Sequence, residues 1–534
     1  VFTAPGKQDL KEEQYTALQK AIWSGGWNIT KLAEYSLEQV MQAWEWDMYK
    51  DPPLINIKAT VDELFSKAEL LNHSGPFRVG ETVALRVDLY DGYGRARTRG
   101  GDDVRVWLKD DGTDSALSTT VSDLRNGSYL ASIPLLFAGT AKVKVSVTFP
   151  REIRRALFYL RNVMKGMRLN VGGFVSEFAS EATICSPFPI SGGYPELCNL
   201  TALNYNLSWY CGRPINPVLK CHHWQLIRDL EFPNPLPVTE AEKEWFDTLV
   251  FGRKHHLRLI SNPDIKLNVI ADPTKVATPL GMCNVRPLRE TWTEPSPRGF
   301  ASHGQWIPTG CTLPHVDISF INNCLSGSTL FMLGDSNLRH MLEMLAQYGL
   351  CTPTAQLVGK LNWHSPQLCI NHQYKYLIRW RTHALPFHTN ADHWAPRTNQ
   401  QSLGLSIDEI PPTGKYIVLL HMYLHFTTHH YSVYIARVRA MRDAVQRLLA
   451  RNPDAKVVIR GPHAAFKGWN PMLGGDAQAL LYLDILKSEF RHLYDKVLLL
   501  DFWDMTVAWE SGDFHPEAKI TQQMLRVLFG YVCR

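Results

Sequence analysis

The sequence predicts a multidomain chain in which an immunoglobulin-like β-sandwich precedes an α/β domain with a mostly parallel sheet, and three patterns carry that expectation. Between about residues 56 and 184, short alternating runs end in Gly, Asp and Asn turns. From about residue 321 the order becomes strand, helix, strand, helix, and the stretch between is rich in Pro, Trp and Cys with weak periodicity. A chain of 534 residues exceeds one ordinary core, so two or three domains are expected. With 45% hydrophobic and 20% charged residues, it reads as folded rather than disordered.

Taken in order, residues 1–55 carry helical patterns. In "LAEYSLEQVMQAW", Leu32, Tyr35, Leu37, Val40, Met41 and Trp44 share one face at helical spacing, as in a helix packed on a neighbouring domain. Residues 56–184 supply "VALRVDLYD", "DVRVWL", "GSYLASIPL" and "AKVKVSVTF", whose alternation predicts antiparallel strands. No cysteine precedes Cys185, so this sandwich has no disulfide between its sheets; "REIRRALFYLRNVM" interrupts it as a helix or insertion. Residues 185–320 read as a connecting region, with "CSPFPISGGYPELC" and "CGRPINPVLKC" as stapled loops. In residues 321–534, "STLFML", "KYIVLLH", "KVVIRG" and "KVLLLDFW" are each followed by a helical pattern, which places helices on both faces of a parallel sheet.

The formal net charge is +5, small for this length, and the basic cluster from Arg151 to Arg161 reads as a solvated helix face. Nucleic acid is therefore not an expected partner. The ten cysteines contain no CxxC pair, which favours disulfides formed in an oxidising compartment, with connectivity left open. Sequons at Asn28, Asn72, Asn126, Asn199 and Asn206 agree with passage through the secretory pathway. No apolar run of about 18 residues is present, and a leader or anchor is expected to have been removed.

The stretch "FMLGDSNLRHM", residues 331–341, turns sharply from strand to helix, which sets Ser336 at the carboxyl edge of the sheet where open α/β folds bind ligands. A serine hydroxyl needs a base to take its proton and a third group to orient that base. "WESGDFHPEAK", residues 509–519, offers His515 between a strand and the last helix, with Asp513 two residues earlier. The bland alternative is that Asp335 or Ser336 only caps the helix. His421, His425 and His429 recur at intervals of four, as metal ligands on a helix would, but they directly follow a strand and lack an adjacent Glu, so no metal is expected. His463, also at a strand end, is a candidate for substrate contact; Trp363, Trp380, Trp394, Trp503 and Trp509 are assigned mostly to packing.

These two blocks resemble the first and last blocks of the SGNH hydrolase superfamily in its PC-esterase branch. The longer pattern "GDSNLR", preceded by "GQWIPTGC" and "CLSGSTLFML", resembles the branch containing plant polysaccharide O-acetyltransferases and animal sialate O-acetyltransferase. A sandwich joined to such a domain by a Cys-rich segment is similar to the neurexophilin and PC-esterase domain family, NXPE.

The resemblance implies luminal, most readily Golgi, O-acetylation of a glycan, with acetyl-CoA as donor, a sialylated glycan or glycoprotein as acceptor, and an acetyl-serine intermediate. It implies Ser336 as nucleophile, His515 as base and Asp513 as the orienting group. Gly512 stands where the superfamily usually has its Asp, which leaves Glu510 or Asp504 as alternatives. "HMYLHFTTHH" lacks the superfamily's oxyanion-binding asparagine, so His421, Tyr423, His425 or Arg339 would join the Ser336 N–H. No Gly-rich phosphate loop announces a nucleotide site. Two alternatives remain open: a carbohydrate O-acetyl esterase of the same fold, and an inactive secreted or receptor-binding protein.

Overall fold

The computed structural model describes residues 47–71, 76–162, 169–189, 193–230, 238–250, 259–260, 265–271, 280–354, 365–387, 394–466 and 475–533. The expected helix around Leu32–Trp44 and the sequons at Asn28 and Asn72 lie outside them.

The amino-terminal part is sheet-rich. Four strands pair in the order Lys67–Leu71, Thr82–Asp88, Ser128–Pro134, Val121–Asp123. They face a seven-stranded sheet whose centre is Ser115–Thr119, Asp103–Asp110 and Gly139–Phe149. Alternation explains the contact: Val83, Leu85 and Val87 point inward from one sheet, and Val106, Leu108, Val145 and Val147 meet them from the other. Gly299–Ser302 and Gln305–Pro308, from the region read as a connector, complete one edge of the larger sheet.

The helix Arg151–Asn162 buries Ile153, Leu157 and Leu160 beside Trp245. Its arginines correct the expectation of a solvated face. Arg151, Arg155 and Arg161 are all buried; Arg151 pairs with Asp47 and Asp51, Arg155 with Glu242, and Arg161 Nε donates to the Thr427 carbonyl at 2.7 Å. Burying a guanidinium is tolerable because its donors find acceptors.

In the Cys-rich region a six-stranded sheet runs in the order Leu197–Asn199, Tyr210–Gly212, Ser180–Ser186, Leu169–Val175, Trp224–Leu230, Ala395–Pro396. The two loops read as stapled are instead laced to each other, Cys185 to Cys211 and Cys198 to Cys221. The remaining bridges are Cys283–Cys311, Cys324–Cys533 and Cys351–Cys369, so all ten cysteines are paired. Five disulfides fit a protein of the secretory-pathway lumen. Among the described residues, no helix is long and apolar enough to cross a membrane.

The carboxyl-terminal part is α/β. Its strands are β1 (Thr329–Gly334), β2 (Gln367–Asn371), β3 (Tyr376–Arg381), β4 (Tyr416–His421), β5 (Lys456–Arg460) and β6 (Val497–Leu500); its main helices are α1 (Ser336–Gln347), α2 (Tyr431–Arg451), α3 (Ala479–Phe490), α4 (Trp503–Ala508) and α5 (Ala518–Val532). In this seven-stranded sheet the short edge strand Thr352–Pro353 pairs antiparallel with β2, and the order then runs β2-β3-β1-β4-β5-β6, parallel from β3 to β6 with β2 antiparallel to β3. Leu338, Met341, Leu342 and Leu345 of α1 pack with α5 on one face, and α2 and α3 cover the other. β1 lies between β3 and β4, so the turn leaving it opens at the middle of the sheet's carboxyl edge.

Candidate active site

The turn is built from three consecutive residues. Gly334 ends β1 opposite His421, and a Cβ there would collide with the His421 carbonyl oxygen, so only glycine permits this approach of β1 and β4. Asp335 caps α1: its Oδ1 accepts from the Asn337 N–H at 2.9 Å, and its carbonyl accepts from Trp380 Nε1 at 3.2 Å. Ser336 is then the first helical residue, where a backbone N–H has no intrahelical partner and remains available to an anion.

His515 arrives from the loop between α4 and α5, and Ser336 Oγ lies 2.7 Å from His515 Nε2. For that nitrogen to take the serine proton, the ring hydrogen must sit on Nδ1. Partial burial of the ring, then the positive surroundings of His340, Arg339 and Arg460, push His515 down to about 3. The imidazole is therefore neutral, the form a base requires.

No carboxylate is hydrogen bonded to His515 among the described residues. Asp513, expected to orient the ring, is exposed, and among the described residues no hydrogen bond joins it to His515. Neither alternative replaces it. Glu510 accepts from Trp107 Nε1 at 3.0 Å, Lys109 Nζ at 3.0 Å and Lys144 Nζ at 2.7 Å, all on the sandwich. Asp504 is buried and accepts from Ser118, Ser296 and the Arg298 N–H.

His421, Tyr423 and His463, expected near the oxyanion or substrate, are 1%, 0% and 0% exposed and so are closed to substrate in this arrangement. They lie inside because β4 and β5 end in a buried polar cluster around Arg460. Arg460 Nη1 is 2.6 Å from His421 Nε2 and 3.3 Å from His463 Nδ1. A guanidinium only donates, so both nitrogens accept and both rings carry their hydrogen on the other nitrogen. His421 Nδ1 then donates to the Arg460 carbonyl at 2.9 Å, and His463 Nε2 to the Phe514 carbonyl at 3.1 Å. Burial first, and Arg460 second, hold both imidazoles well below the ordinary histidine range. Asp335 lies 3.5 Å from His421 at the cluster's other end; burial raises its carboxyl to about 6 against the opposing pull of Arg460.

His425 is turned away, packed on Phe387 and His383 at ring-centroid distances of 4.2 and 5.0 Å. Arg339 remains beside the pair, with Nη2 3.5 Å from His340 Nε2. Sequence reasoning missed His340, whose ring centroid is 4.1 Å from that of His515. The signal was present: His340 is four residues after Ser336, hence on the same face of α1. A cleft of about 690 Å³ lies elsewhere, between sandwich and α/β domain, and neither Ser336 nor His515 is among the described residues that line it. Asn126, Asn199 and Asn206 are exposed.

The arrangement can do nucleophilic acyl chemistry: a hydroxyl, a neutral base in contact with it, and a helix-terminal N–H beside both. Residues 306–533 match the family model described as NXPE family member 4-like, C-terminal domain, which suggests an esterase- or acyltransferase-like enzyme of PC-esterase kind. The carboxyl-terminal part of the chain is thus similar to the C-terminal domain of the NXPE family.

Proposed function

We propose that the protein is a serine-dependent O-acetyltransferase, with an SGNH-type catalytic domain behind an immunoglobulin-like sandwich, that moves acetyl from acetyl-CoA to a sugar hydroxyl, with a sialylated glycan of the Golgi lumen as acceptor. The observation that supports it is the 2.7 Å contact between Ser336 Oγ and His515 Nε2. In the first half-reaction His515 Nε2 takes the Ser336 proton while Oγ attacks the acetyl carbonyl carbon. The C–S bond breaks and the thiolate leaves with the proton returned by His515. In the second, the sugar hydroxyl gives its proton to His515 and attacks the acetyl-serine carbonyl; the C–Oγ bond breaks and Ser336 is reprotonated. The Ser336 N–H faces the charge that develops on the carbonyl oxygen. Arg339, next to the pair, supplies positive charge suited to a phosphorylated donor and an acidic sugar.

An esterase would share the first half-reaction and differ only in admitting water to the second. The test is incubation with labelled acetyl-CoA and a sialylated glycan, followed by mass spectrometry of the glycan. Ser336-dependent acetylation of the sugar is expected. Release of free acetate alone would favour the esterase, and no turnover beyond that of Ser336→Ala would favour a binding protein.

A further inference from the structure

Among the described residues no carboxylate is hydrogen bonded to the base, yet its loop is held. It is held through its backbone. The Phe514 carbonyl, one residue before His515, accepts from His463 Nε2 at 3.1 Å, and His463 is wholly buried. His463 is fixed in turn by Arg460, whose Nη1 also reaches His421 at the end of β4, directly across from Gly334 in the turn that carries Ser336. One buried chain thus runs from the nucleophile's turn to the base's loop through two neutral rings and one guanidinium. Its direction is set by chemistry: Arg460 can only donate, so His463 is obliged to accept on Nδ1 and free to donate on Nε2, and the acceptor placed there is the carbonyl beside the base.

We propose that His463 is the positioning residue of the active site: by donating to the Phe514 carbonyl it sets the distance between His515 Nε2 and Ser336 Oγ, the task an aspartate behind the imidazole performs in a serine triad. This rests on the reading of Ser336 and His515 as nucleophile and base. His463 touches neither the reacting atoms nor solvent. It acts on placement alone, and a misplacement of about 1 Å can lower a rate roughly 10²-fold. Sequence comparison with a triad would overlook it, because the contact is to a backbone oxygen.

Two substitutions separate positioning from general packing. His463→Asn keeps an acceptor for Arg460 near the Nδ1 position but is too short to reach Phe514. His463→Gln places an amide N–H near the Nε2 position. The readouts are acylation of Ser336 by an activated acetyl ester and hydrogen exchange of residues 511–517, each in the full chain. His463→Asn is expected to acylate about 10²-fold more slowly and to exchange faster in that segment, with His463→Gln restoring both to near the wild-type values. The proposal is overturned if His463→Asn leaves exchange in 511–517 unchanged, if exchange rises while acylation stays at the wild-type rate, or if Gln is as impaired as Asn. If wild-type Ser336 does not acylate, the catalytic reading fails, while the exchange comparison still decides whether His463 holds the loop.

Discussion

Ser336 and His515 come from turns 179 residues apart and meet at hydrogen-bond distance, with no carboxylate hydrogen bonded to the ring among the described residues. In a serine triad, altering the aspartate costs roughly 10⁴-fold in rate; Asp513→Asn is expected to change Ser336 acylation by less than about threefold, because Asp513 is exposed and, among the described residues, not hydrogen bonded to His515. Side-by-side acylation rates check this. The charge surroundings give a second expectation. His515 is lowered to about 3, chiefly by burial and then by His340, Arg339 and Arg460. As pH falls, the base is lost only when it protonates. The acid limb of the acylation rate should therefore lie well below 6.5, the value of an unperturbed histidine. Removing one neighbouring charge source with His340→Ala should move that limb upward. A limb already near 6.5 in the wild type would contradict the assignment of these surroundings.

The strand ends do more than carry side chains to an edge. Gly334 lets β1 and β4 approach until the His421 carbonyl fills the space where a Cβ would stand. Gly334→Ala should therefore destabilise the fold by about 1–3 kcal/mol, as overpacking of a filled interior does, and displace Ser336 with it. Thermal unfolding together with Ser336 acylation would show both. Much of this architecture was legible beforehand: β1, β4, β5 and β6 follow from continuous apolar runs, and the helices after them from apolar periods of 3.6. The side on which a strand-end histidine lies was not. His421 and His463 looked like substrate contacts because strand ends open to the site, and only the position of Arg460 shows that they turn inward. The backbone contact at Phe514 has no sequence signature at all. The arginines of the helix Arg151–Asn162 misled for a related reason, since a charged residue reads as solvated until its partners, distant in sequence, are placed beside it.

In the whole molecule, the sandwich holds the start of the loop that carries His515. Glu510, at the start of the loop that carries His515, is gripped by Trp107, Lys109 and Lys144 of the sandwich, and burial's upward pull on its carboxyl is overcome by the two lysines. Nearby, buried Asp476 forms two hydrogen bonds with Arg105 of the same sheet, at 2.9 and 2.8 Å. Glu510→Gln would leave two lysines facing a neutral group. It is expected to slow Ser336 acylation by about tenfold or more and to loosen residues 511–517, though Glu510 touches neither Ser336 nor His515. Hydrogen exchange checks the second effect. The sandwich thereby acquires a role that no strand pattern announced, because ion pairs between residues about 400 positions apart cannot be read from local spacing.

The decisive observation is chemical and local: mass spectrometry of the peptide containing Ser336 after brief exposure to acetyl-CoA or an activated acetyl ester. An acetyl group on Ser336 in the wild type, greatly reduced in His515→Ala, is the expected result. An unmodified Ser336, or equal acetylation with and without His515, would contradict a nucleophile activated by that imidazole.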